Sequence, residues 1–166
     1  MESACQIIVG YKLIALDLEG FDLGKFGKIS TIQIATADTG YQFVFDIITL
    51  SGNPSQRSDI LKNDKIMKLM FDCRNDSAAL LTEYGIHLNG IIDLQLKEIM
   101  QRTDSTDEAR RRLHGPLYHR NVEGNPAMYT DVIRHSSLLF LLKEYGVSGY
   151  ETKEVVSGTF KGDDHY

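Results

Sequence analysis

The chain has only two cysteines, Cys5 and Cys73, far apart and outside any CxxC or CxxH spacing. That excludes a disulfide framework and a zinc knuckle as organising devices and leaves both thiols as expected core residues. No apolar run approaches the roughly 18 to 20 residues that a membrane span needs. Residues Met1 to Gly10 lack the basic start and cleavage site of a secretory signal. The expectation is an intracellular address, cytoplasmic or nuclear, with no membrane partner. Positive charge is also short, with 18 Lys and Arg against 23 Asp and Glu and a net charge of −5. This argues against gripping nucleic acid over a broad basic face by counterion release. It leaves open a carboxylate-rich cleft that meets phosphates through divalent cations. Internal repeats and low-complexity tracts are absent.

What is present suits a folded α/β domain. With 42% hydrophobic and 25% charged residues in 166, the chain has enough apolar material for one packed core. Lys12 to Leu16 reads as a buried strand running into a turn at Asp17-Leu18-Glu19-Gly20. Lys28 to Thr36 alternates as a second strand, and Tyr41 to Ile48 is β-branched and aromatic enough for a third, so these three form an antiparallel meander. A polar loop follows over Ser51 to Ser58, then a short helix from about Asp59 to Asn63. Lys65 to Phe71 reads as a fourth strand. Asn75 to Tyr84 is a predicted helix with Ala78, Leu80, Leu81 and Tyr84 near one face, closed by Gly85. With a strand at Gly90 to Ile92 this completes a βαβ unit and favours parallel pairing.

Asp93 is placed to cap a helix over Leu94 to Arg102. Further on, Asp104 to Leu113 reads as a charged helix, Leu113 to Pro126 as an exposed loop, and Ala127 to Tyr145 as a Leu-rich helix stopped by Gly146. The tail, Ser148 to Tyr166, is polar. The histidines, His87, His114, His119, His135 and His165, show no metal spacing such as HxxxH, and Arg110 to Arg112 reads as part of a solvated helix face.

Asp17 and Glu19 lie two residues apart, so on an extended strand they project from the same face. Two such carboxylates repel each other and resist desolvation, and a shared hard cation such as Mg²⁺ or Mn²⁺ relieves both costs. A solvated acidic pair at a strand end is the plainer alternative. Asp76, in the first turn of the helix after the fourth strand, sits where strand ends of one sheet can bring it near Asp17. Its plainer role is a favourable charge at a helix N-terminus.

The segments LIALDLEG, GKISTIQIAT and KLMFDCRNDSAALLTEYGIHLNGIIDLQL together resemble the DEDD-type 3′-5′ exonuclease domain over about 80 residues. ALDLEG, at Ala15 to Gly20, resembles its first motif. FDCRNDSAAL, at Phe71 to Leu80, resembles its second, in the Egalitarian-like subgroup of RNase D relatives. The resemblance implies an RNase H-like mixed sheet flanked by helices, with residues 1 to 166 forming a single domain. It also implies a two-metal site for Mg²⁺ or Mn²⁺ held by Asp17, Glu19 and Asp76, with Asp17 bridging the ions, and a 3′ end of single-stranded RNA or DNA as substrate. Asp72 competes with Asp76, but the family's acid stands at the start of the helix, which selects Asp76. Phe71 stands where these relatives often have His.

The family's third motif, a fourth acid preceded by Tyr or His four or five residues earlier, has no YxxxD or HxxxxD counterpart after Asp76. Either the helix at Ser136 to Tyr145 takes the place of the third-motif helix, with Ser137 where the acid would be, or the domain is incomplete at its C-terminus. In both cases the expectation is impaired hydrolysis. Exposed apolar surface would then favour a protein partner or a homodimer. The rival expectations are a catalytically silent nucleic-acid-binding or scaffold module and a protein-interaction domain.

Overall fold

The structure, a computed structural model, describes residues 2–49, 55–103, 124 and 133–148. The chain divides into two compact units, Met1–Lys97 and Glu98–Tyr166.

In the first unit the order is α1 (Glu2–Ile8), β1 (Leu13–Phe21), β2 (Lys28–Thr36), β3 (Gln42–Asp46), α2 (Ser55–Lys62), β4 (Met67–Met70), α3 (Arg74–Tyr84), β5 (Ile91–Asp93) and the start of α4 (Leu94–Thr103). The five strands form one sheet in the order β3-β2-β1-β4-β5. β1 pairs antiparallel with β2, and β2 with β3, whereas β4 runs parallel to both β1 and β5. The expected meander with added parallel strands, the RNase H-like mixed sheet, is the observed architecture.

β1 shows how the sheet divides its faces. Ile14, Leu16 and Leu18 are buried while Ala15, Asp17 and Glu19 are exposed, the alternation that a pleated strand dictates. The buried set joins Ile32, Ile34, Phe45, Ile60, Leu61, Met70, Ala79 and Leu80 in one core. Each fully buried Ile or Leu contributes about 1.5–3 kcal/mol of transfer free energy.

β1 does not stop at Leu16 as expected but continues to Phe21, so Asp17 to Gly20 is strand and not turn. Pairing with β2 along the whole length outweighs the local turn signal of the Asp and Gly residues. A bulge lies there: Glu19 pairs with Thr31 and Gly20 with Ile29, leaving Ser30 as the extra residue. The bulge lets Ile29 and Ile32, an odd number of residues apart, both face the core. The Ile29 N–H, turned out of the ladder, is accepted by Glu83 Oε2 at 3.0 Å, which fastens α3 to the β1–β2 hairpin.

α3 turns Asp76, Ala79 and Leu80 inward, an i, i+3, i+4 stripe. This differs from the expected apolar face, since Leu81 is 42% exposed. α2 begins earlier than expected, at Ser55, and α1 has no counterpart in the sequence reading. Cys5 and Cys73 pack, half-buried, against the core as free thiols.

In the second unit, α4 continues through Glu98 and Arg102, a buried pair one turn apart in which Arg102 Nε donates to Glu98 Oε1. Arg102 also donates to the Arg134 carbonyl, and Ser136 Oγ donates to Glu98 Oε2 at 2.7 Å, so the buried charges have hydrogen-bonding partners. The last described helix, α5, spans Leu138–Glu144. The helix expected over Ala127 to Tyr145 is therefore shorter. Residues 133–137 are not helical, because Ser136 is drawn to Glu98 and Ser137, in extended conformation, caps α5 by accepting the Phe140 N–H at 3.2 Å. The expected helix over Asp104 to Leu113, with Arg110 to Arg112, and residues 127–132 lie outside the described residues. So do His114, His119, His165 and the tail beyond Ser148; of the expected loop at Leu113 to Pro126, only Gly124 is described. Among the described residues no helix is long and apolar enough to cross a membrane.

Candidate functional site

Asp17 and Glu19 stand on the exposed face of β1, opposite Gln33 and Thr31 of β2. A cavity of about 290 Å³ lies on that face, lined by Ala15, Leu16, Asp17, Gln33, Ile34, Ala35, Gln42, Phe43 and Val44. Asp17 thus lines a hollow with an apolar floor and two amide side chains, a composition suited to an organic group beside a charged one.

Asp76 arrives from the other side of the β4–α3 junction. It is only 8% exposed because it sits on the inward stripe of α3. Its carboxyl is pushed up to about 7, first by burial and then by the negative charges of Asp17, Glu19 and Asp72. The charges of Asp17 and Glu19 thus reach Asp76, so the fold brings the helix acid within electrostatic range of both strand acids. Asp72, the competing acid, is bound by Arg74, with Nε to Oδ1 at 2.6 Å and Nη2 to Oδ2 at 2.9 Å.

The three acids offer only hard oxygen donors, and their mutual repulsion is the kind a divalent cation removes, so their chemistry fits Mg²⁺ or Mn²⁺. Among the described residues no three His, Cys, Asp or Glu side chains stand close enough to form a group able to hold a metal ion. Charge interaction reaches several ångströms further than coordination at about 2.0–2.6 Å, so carboxylates can influence one another without sharing a coordination sphere.

The loop that delivers Asp76 is organised by a residue whose part the sequence only half disclosed. Asp93, at the end of β5, accepts the N–H groups of Gln95 and Leu96 at 2.9 and 3.3 Å, the expected cap of α4. The same carboxylate reaches across to the segment between β4 and α3, accepting the N–H of Asp72 at 3.2 Å and of Cys73 at 3.0 Å. Asp72 holds a left-handed φ of 54°, uncommon for a side-chain-bearing residue, and Asp93 anchors that conformation. Burial works to raise the Asp93 pKa, but the hydrogen bonds from Cys73, Asp72 and Leu96 outweigh it and hold the group below the usual carboxylate range. The neighbouring Cys73 thiol is pushed up to about 11 by burial and by Asp93, which leaves it unreactive.

Lys68 is a second residue that the sequence did not single out. It lies in β4 with its side chain wholly buried, and Nζ donates to the carbonyls of Asn63 at 2.5 Å and Asn89 at 2.9 Å. Burial lowers it to about 8, against the opposing pull of Asp64. It ties the segments entering β4 and β5 together from within the core.

A family model described as 3′-5′ exonuclease matches residues 1–146. The mouse piRNA biogenesis protein EXD1 is 32% identical over 91 residues, covering 54% of this chain and 16% of that protein. The human protein of the same name is also 32% identical over 91 residues, at 54% and 17%. The chain therefore spans about a sixth of the length of these curated relatives. Among solved structures, Trypanosoma brucei RNase D in complex with GMP is similar at 26% identity and a TM-score of 0.70, covering 96% of this chain and 43% of that one. The same protein in complex with RNA U12 is similar at 28% identity and a TM-score of 0.55, covering 98% and 60%.

Proposed function

The chain belongs to the 3′-5′ exonuclease family, and from that premise we propose that it removes nucleotides from the 3′ end of a single strand, with Asp17, Glu19 and Asp76 holding its divalent cations. The observation that carries this reading is the buried Asp76 carboxyl, raised by burial and by the charges of Asp17 and Glu19 although it comes from a different element. Exonucleases of this kind use divalent metals. Bound among these acids, Mg²⁺ or Mn²⁺ supplies positive charge to the attacking and leaving oxygens of the phosphodiester.

The chain's own residues do the rest. Asp17 and Glu19 present their oxygens from one face of a strand whose opposite face is locked in the core. Asp76 holds a proton below pH about 7 and must release it to become a ligand, so cation binding and proton release are linked there. The hollow beside Asp17 gives the terminal nucleoside an apolar floor, with the Gln33 and Gln42 amides as hydrogen-bonding groups. RNA is the favoured strand, because the RNase D relative was crystallised with RNA. An intracellular role in RNA processing, cytoplasmic or nuclear, accords with it.

A catalytically silent nucleic-acid-binding module is the second reading, in which the acids and the hollow beside Asp17 hold a strand without cleaving it. Incubating the purified chain with a 5′-labelled single strand and Mn²⁺, beside Asp17→Ala, separates the two. Stepwise 3′ shortening that disappears in the variant supports the exonuclease; binding without shortening supports the silent module.

A further inference from the structure

The turn joining β1 to β2 carries two aromatic rings in solvent. Phe21 is 80% and Phe26 85% exposed, more than any other large hydrophobic among the described residues. Single exposed apolar side chains are ordinary, but this turn is built in a way that keeps both rings out. At Gly20 an added Cβ would stand 2.0 Å from the Lys28 carbonyl oxygen, and at Gly27 one would stand 2.0 Å from the Asp22 carbonyl oxygen. The two sides of the turn are thus pressed together, with Asp22 at a φ of 48° and Phe21 in register with Lys28. Such a backbone has little freedom to fold the rings inward. Lys25 Nζ lies 5.3 Å from the centre of the Phe26 ring, which adds a cation to the aromatic surface.

We propose that Phe21 and Phe26 form a stacking platform for the bases of a single-stranded nucleic acid whose 3′ end lies at Asp17 and Glu19. This deepens the function proposed above and rests on it. Phe21 follows Glu19 by two residues on the same strand, roughly 6–7 Å, so a strand ending at the acids passes the turn at once. Aromatic faces interleaved with a cation are what surfaces for single strands combine, the rings taking bases and the cation a phosphate. The other residues around the rings, Asp22, Lys25 and Lys28, are polar and exposed, so there is no broad apolar patch of the kind a protein partner buries.

The test is a fluorescence-anisotropy titration of the full chain with 5′-labelled oligo(U) and oligo(dT) in Ca²⁺, with thermal melting of every variant. Phe21→Ala and Phe26→Ala should each weaken binding about tenfold without lowering the melting temperature, since both rings are already in water. Phe→Trp at either position should keep the parent's affinity, whereas Phe→Leu should lose it as Ala does. Parent-like binding by the Phe21→Ala/Phe26→Ala double variant would leave the rings to a protein partner and overturn the platform. So would retention of affinity in the Leu variants, or a parent that binds neither strand. A parallel Mn²⁺ titration keeps the two ideas apart. Saturable stabilisation that is lost in Asp17→Ala, together with parent-like Phe variants, sinks the platform and spares the metal site. Cation-independent melting with weakened Phe variants does the opposite.

Discussion

Asp93 Oδ2 accepts the main-chain N–H of Cys73 at 3.0 Å, and by that bond the end of β5 holds the loop from which Asp76 is presented. The other oxygen serves Asp72, Gln95 and Leu96, so one carboxylate serves four donors in two segments.

Replacing Asp93 should therefore cost both stability and cation binding. Asp93→Ala is expected to lower the unfolding free energy by about 2–4 kcal/mol, the combined loss of a helix cap and of acceptors for loop N–H groups. Divalent-ion affinity, read by calorimetry on the still-folded variant, should fall as well. Because the folded Asp93 pKa is depressed, its contribution is present above the ordinary carboxylate range and is lost as pH falls through the folded value. Below about pH 4 the parent's stability should drop on further acidification, with the slope reduced in the variant.

For Asp76 the sign is reversed. Its pKa is raised from 3.8 to about 7, so the folded state binds the proton more tightly than the unfolded chain. Stability should decline as pH rises from about 4 to about 7, with an upper limit of about 4 kcal/mol for the three-unit shift. In EDTA at pH 8, Asp76→Asn should melt higher than the parent, and at pH 4 the two should melt alike. Adding Mn²⁺ at pH 8 should stabilise the parent and leave the variant nearly unmoved. A variant that melts lower than the parent at pH 8 in EDTA would contradict the account.

Gly20→Ala should be severe for a site so near the surface. The new methyl meets the Lys28 carbonyl at 2.0 Å, so either the hairpin opens or its register moves. We expect a loss of more than about 2 kcal/mol in urea unfolding, in the range of overpacked sites. The companion Lys25→Ala, on the same turn, should fall within about 0.5 kcal/mol of the parent.

Lys68 offers a test in alkali. With its folded pKa lowered to about 8 from 10.5, the cost of its buried charge is complete below pH 8 and is relieved as pH climbs toward 10.5. Unfolding free energy should rise over that interval in the parent, against the trend of the remaining groups. In Lys68→Met the rise should be missing, with the two bonds to Asn63 and Asn89 also lost.

Much of the sheet was legible because it obeys local rules: β2 begins and ends at Lys28 and Thr36 as its alternation predicts. The same alternation could not reveal the bulge at Ser30, which arises from pairing with β1 and the close pass at Gly20. Asp and Gly favour turns in isolation, which predicts an end to β1 at Leu16, while a paired neighbour extends it to Phe21. The acids at 17, 19 and 76 are marked by motif, but that Asp76 is buried depends on how α3 is rotated, and α3 turns Asp76, Ala79 and Leu80 inward in place of the face that its apolar residues predict. Asp93 was recognisable as a cap since a cap is local; its bonds to Asp72 and Cys73 span some twenty residues of sequence and follow from strand order alone. Lys68, a lysine in an apolar strand, gave no sign of the two carbonyls waiting for it.

The supernumerary Ser30 carries a corollary for length variation. Because it stands outside the pairing with β1, deleting it would leave Ile29 and Ile32 both facing inward on an unbroken β1–β2 ladder, while removing the carbonyl that accepts the Ile47 N–H at 2.8 Å, straightening the hairpin arm and re-aiming everything borne on its tip. Deleting Thr31 instead gives the same spacing, with Ser30 moved into its place opposite Glu19, whereas deleting Ile32 moves Thr31 into the core position opposite Leu18. A one-residue gap is thus best tolerated at the bulge, and relatives that differ by one residue between the two strands would be expected to differ there, with their hairpin tips pointing elsewhere.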